Sequence, residues 1–177
     1  MIFEFIDYFS SWTTDPIGKI HVFAAILSLI AGVVLFLSYK GTIRHKWVGY
    51  IYIASMLVMN LTALSHYTLT GSFNMFHAFA IFSTATIVPA TWLILKAKKT
   101  GKKSYFWGHA ITMSWSYFGL FAALVSETAT RQFPHVFFAG DSFWNNFLVF
   151  LFIYLGISSW WTNKMIKKNI PRILKNY

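Results

Sequence analysis

The chain has 177 residues, of which 56% are hydrophobic, 20% aromatic and only 11% charged. About a quarter of the residues in a soluble domain are charged, so this balance argues against an ordinary water-soluble globule and for a membrane protein. Cysteine is absent, which excludes disulfides and thiolate metal sites. The formal net charge of +10 raises the question of nucleic acid, but the Lys and Arg residues lie in short clusters between apolar runs rather than as a stripe. No nucleic-acid role is expected.

The first residues, MIFEFIDYFSSW, carry Glu4 and Asp7, lack a basic leader and show no small-residue cleavage pattern. They are expected to be a short amphipathic segment near the membrane interface or a partly ordered N-terminal arm, rather than a signal peptide. Five stretches then approach the length of about 20 mostly apolar residues that a membrane helix needs. They are Ile20–Tyr39, Trp47–His66, Met75–Leu95, Tyr105–Val125 and Phe143–Thr162. Thr14-Asp15-Pro16 is a helix start, with a capping side chain ahead of Pro in the first turn. Pro89 falls inside the third stretch and predicts a kink. The fold expected is an all-α integral membrane bundle, a single transmembrane domain over residues 1–177, with a basic tail over 163–177.

The connections set a direction. One side carries Lys40, Arg44 and Lys46, then Lys96, Lys98, Lys99, Lys102 and Lys103, then Lys164, Lys167, Lys168, Arg172 and Lys175. The other carries Lys19, Arg131 and every acid: Glu4, Asp7, Asp15, Glu127 and Asp141. Lys and Arg favour the cytoplasmic side, so the N-terminus is expected outside and the C-terminus inside a cell inner membrane. The partners implied are the lipid bilayer and, at the basic inner face, anionic lipid headgroups.

With that direction, four consecutive stretches each bring an ionisable group toward the outer side: His21, His66, His77 and Glu127. Such residues are costly in a membrane and usually face the bundle interior. Small or hydroxyl residues share a helix face with each: Ser28 and Gly32 with His21, Ser55 and Thr62 with His66, Thr84 and Thr91 with His77, Thr112 and Ser116 with Glu127. Imidazoles and a carboxylate suit zinc, so the expected site has His21, His66 and His77 as ligands. Glu127 would be a fourth ligand or the general base for a metal-activated water. His135 is a substitute ligand. No short motif of the HExxH kind is present. Two other possibilities stay open: b-type haem held by two histidines, and a structural or interaction protein with no cofactor. On the inner side, His45 between Arg44 and Lys46 reads as an interfacial residue, and His109 as a cap bonding a loop carbonyl.

Four segments, IHVFAAILSLIAG, RHKWVGYIYIASM, GSFNMFHAFAIFS and WGHAITMSWSYFGLFAALVSETATRQFP, occur in an order that resembles a family of bacterial multi-pass membrane proteins. That family is domain of unknown function 2306. The resemblance covers roughly residues 16 to 134 and includes His21, His45, His77, His109 and Glu127, with His66 between two matching segments. It implies a multi-helix membrane protein and carries no activity with it.

Overall fold

A computed structural model describes residues 15–67, 71–133 and 143–174. Among them are five helices and no strand: α1 (Pro16–Leu37), α2 (Ile43–Ser65), α3 (Met75–Thr100), α4 (Lys103–Gln132) and α5 (Phe143–Leu174). Each overlaps one of the expected stretches: α1 and α2 start earlier and stop at Leu37 and Ser65, short of the expected Tyr39 and His66, and the other three span theirs in full. α5 continues through Leu174, well past Thr162, because its basic C-terminal part keeps a helical backbone.

The helices divide into two compact units, residues 1–87 and 88–177, with the division two residues before Pro89. In the first unit, Asp15 starts α1 as anticipated. Its Oδ1 accepts the Gly18 amide at 2.9 Å, and Pro16 follows in the first turn. At the other end, the Lys40 ammonium donates to the carbonyl oxygens of Leu35, Phe36 and Ser38, giving the C-terminus of α1 a cationic cap. Burial lowers the Lys40 pKa from the ordinary lysine value. Gly41, at φ 78°, turns the chain. Thr42 then caps α2, its hydroxyl accepting the His45 amide at 3.2 Å.

α1 packs along α2. The five-residue connection is too short for a parallel pair, so the two run antiparallel. The buried face of α1 is Gly18, Ala24, Ser28, Ala31 and Gly32, small residues that let two backbones approach. Tyr52 and Met56 of α2 are buried as well. At its centre the Ser28 hydroxyl reaches Ala24 O at 2.8 Å and the Ser55 hydroxyl at 2.7 Å. Large apolar side chains such as Phe23, Ile30, Leu61 and Phe82 point outward. Small and polar inside with large and apolar outside is an arrangement that water disfavours and lipid accepts.

In the second unit, Pro89 lies within α3, which continues through it to a turn at Gly101 with φ 66°. A methyl group on Gly108 would meet Leu93 Cδ1 at 3.2 Å, so α4 starts close against the end of α3. α4 packs along α5. Ten residues cannot return along a helix about 45 Å long, so this pair is antiparallel as well. Ser116, Leu120, Ala122, Ser126 and Thr130 form the buried face of α4.

Among the described residues, α1, α2 and Phe76–Thr100 of α3 are long and apolar enough to cross a membrane. α4 has the length, with 30 residues. Its sequence, however, alternates aromatic residues with Ser, Thr, Gly and His, which dilutes the hydrocarbon character of any one window.

Candidate functional site

The three histidines of the first unit that the topology assigned to one side, His21, His66 and His77, are held in three different ways. His21 lies in the second turn of α1, half-buried. Its Nδ1 is 3.0 Å from Met59 O and 3.1 Å from the Thr62 hydroxyl on α2. A carbonyl oxygen only accepts, so Nδ1 carries the proton and a neutral ring keeps its lone pair on Nε2. Thr62 donates its own proton back to Val58 O or Met59 O, leaving its oxygen able to accept from the ring.

His66 is the C-cap of α2. Its Nε2 lies 3.7 Å from Asp15 Oδ2, while the other oxygen of Asp15 caps α1. One carboxylate thus faces both the start of α1 and the end of α2.

His77 is in the first turn of α3 and only 1% exposed. Asn74 precedes this turn and holds the ring. Asn74 Oδ1 accepts the Phe76 amide at 2.9 Å and lies 2.9 Å from His77 Nδ1, whereas the Asn74 backbone N–H is 3.2 Å from the same nitrogen. The carboxamide oxygen matches an Nδ1 that bears hydrogen, and the backbone N–H matches a bare one. Two tautomers are therefore supported, and the first puts the lone pair on Nε2. The rings of Tyr67 and Phe73 pack against the imidazole, at 4.5 and 5.2 Å between centroids. His77 Nε2 is buried without a hydrogen-bond partner.

Asn60, in the middle of this unit, was not singled out by the spacing of the histidines. It is 1% exposed, and its Nδ2 donates to Ser83 at 3.0 Å and Thr84 at 3.1 Å on α3, while Oδ1 has no partner. Its signal was available: it is the lone carboxamide within the first four expected stretches. The Asn60 bonds also set a register. His66 and His77 lie six and seven residues beyond them, about 9–10 Å along each helix axis, and so come level. His21 is different. It meets α2 at Met59 and Thr62, about 6 Å deeper than His66, because α1 begins with Asp15 already beside His66.

The four expected ligands are thus distributed as follows. His21, His66 and His77 belong to the first unit, each with its own neighbours, and Glu127 stands half-buried on α4 of the second. Among the described residues, no three His, Asp or Glu side chains form a group that holds a metal ion. Glu127 has its carbonyl oxygen accepting the Thr130 hydroxyl at 3.0 Å, and the neighbouring Ser126 is fully buried with no partner for its hydroxyl. His135 lies outside the described residues. His109 does find a carbonyl. Its partner is Ala90 O at 2.9 Å, in helix α3 just after Pro89 rather than in a loop.

The family described as "Predicted membrane protein (DUF2306)" matches residues 18–165, and the chain belongs to that family. No curated protein and no solved structure matches the chain.

Proposed function

We propose that this membrane protein binds a divalent metal ion, zinc first among the choices, in the outer half of its first unit. His77 is the anchoring ligand, His21 the second, and His66 a third on release from Asp15. The observation that carries this is His77 Nε2, buried in a helix long and apolar enough to cross a membrane and left without a partner. A buried polar nitrogen of that kind costs free energy unless something meets it. Its ring is also oriented through Nδ1, as metal-binding imidazoles commonly are. His21 shares that property through Met59 O. The site is to be tested on protein purified without chelator or added metal. Elemental analysis should find about one zinc per chain, reduced at least about tenfold in H77A. Wild-type protein without metal, or H77A with unchanged content, would sink the proposal.

A second reading is b-type haem. It is favoured by the Tyr67 and Phe73 rings against His77, and two imidazoles suffice for it. The same preparation separates the two, since haem gives a Soret band and zinc leaves the protein colourless.

We further propose that all five helices cross the inner membrane of a bacterial cell, with the N-terminus outside. The basis is the separation of Lys and Arg clusters from the acids. Because the chain has no cysteine, single cysteines at Ser72 and Gly101 are clean reporters. Ser72 should react with an impermeant maleimide added to intact cells, and Gly101 only after lysis. The reverse pattern overturns the orientation.

A further inference from the structure

The turn between α3 and α4 carries a feature that the histidines do not involve. Lys96 lies with its ammonium 4.3 Å from the centroid of Trp92 and 5.0 Å from that of Tyr105. The two rings meet edge to face, 6.3 Å apart at 83°. Trp92 and Lys96 are one turn apart on α3, and Tyr105 is in the first turn of α4, so the rings brace both sides of the turn. Aromatic rings of this kind sit at the headgroup level of a membrane. Beyond them, Lys98, Lys99, Lys102 and Lys103 are all exposed. No Asp or Glu occurs between Asp15 and Glu127 to neutralise them. Since α4 and α5 run antiparallel, Lys164, Lys167 and Lys168 of α5 lie toward the same end of this unit.

We propose that this turn is a binding site for an anionic phospholipid headgroup. Lys98, Lys99, Lys102 and Lys103 meet the phosphodiester, and Trp92 and Tyr105 fix the depth at which it is met. Charge complementarity selects this occupant. Five ammonium groups within eight residues need anions, and an aromatic floor at the headgroup level brings lipid phosphate to them ahead of soluble phosphate. The site does not depend on the metal proposal, because every residue named belongs to the second unit.

The test is native mass spectrometry of the full chain in detergent, with phosphatidylglycerol and phosphatidylcholine added in equal amounts. Wild-type protein should retain phosphatidylglycerol preferentially. K98Q/K99Q/K102Q/K103Q should lower that retention at least about tenfold, and the matching all-arginine variant should keep it. Retention in the glutamine variant within twofold of wild type, or equal retention of the two lipids by wild type, overturns the site. Displacement by millimolar inorganic phosphate would identify a free-phosphate site instead. Should the glutamine variant fail to fold, rising salt applied to wild type decides. The preference must weaken as the charges are screened, and a salt-independent preference rules the headgroup site out.

Discussion

The two units differ in how far their polar side chains reach beyond their own helix. In the first, such groups tie one helix to another: His21 to Met59 and Thr62, Ser28 to Ser55, Asn60 to Ser83 and Thr84. Hydroxyls of the first unit also return to their own backbone, as Ser65 does to Leu61 O and Thr84 to Ala80 O, and those of the second do the same. Thr112 donates to Gly108 O, Ser114 to Ala110 O, Ser116 to Met113 O and Thr130 to Ser126 O, while His109 reaches across to Ala90. The lesson is that a stripe of Ser and Thr on an apolar helix has two meanings. Some are joints between helices; others bond the carbonyl a turn back in their own helix.

That contrast can be broken at its strongest joint. Asn60→Ala removes both bonds to α3 and should cost about 1–2 kcal/mol. The measurement is reversible unfolding in mixed micelles of dodecyl sulfate and a mild detergent. A neutral or stabilising result would mean that the unpartnered Oδ1 costs as much as the two bonds contribute, and Asn60 would no longer count as a joint.

A smaller effect is expected where the second unit relies on close approach. Gly108→Ala brings a methyl group to 3.2 Å from Leu93 Cδ1, a flexible tip that has to give way by a few tenths of an ångström. The expected loss is about 0.5–1 kcal/mol in the same assay, from the crowding of a well-packed contact. A gain in stability would show that Leu93 moves aside freely. Thr112→Val should have the least effect, under about 0.5 kcal/mol, because it deletes a bond made within one helix. A cost equal to that of Asn60→Ala would erase the distinction between the units.

Much of this was legible in the chain itself. Apolar runs located all five helices, and Asp15-Pro16 marked the start of α1. The expected face of small and hydroxyl residues was found buried at Ser28, Gly32, Ser55 and Ser116. Less was legible around the histidines. Placing His21, His66 and His77 toward one side followed from topology, but His66 turned to Asp15, His21 met α2 a turn deeper, and His77 was held by Asn74. Asn60, which joins α2 to α3, carries no charge and belongs to no ligand set, so neither charge nor histidine spacing points to it.

The membrane class, the helices and one helix cap were determined by the sequence alone. Each depends on local quantities: the length of an apolar run, the reach of a capping carboxylate, the fixed φ of proline. Tertiary structure decided which histidine nitrogen stays buried without a partner, which serine bridges and which returns to its own helix, and how deep each imidazole lies. Those outcomes turn on the rotation and register of neighbouring helices. Close packing of small residues sets both, and the contacts that do so join residues far apart in the chain, as Ser28 meets Ser55 and Asn60 meets Thr84.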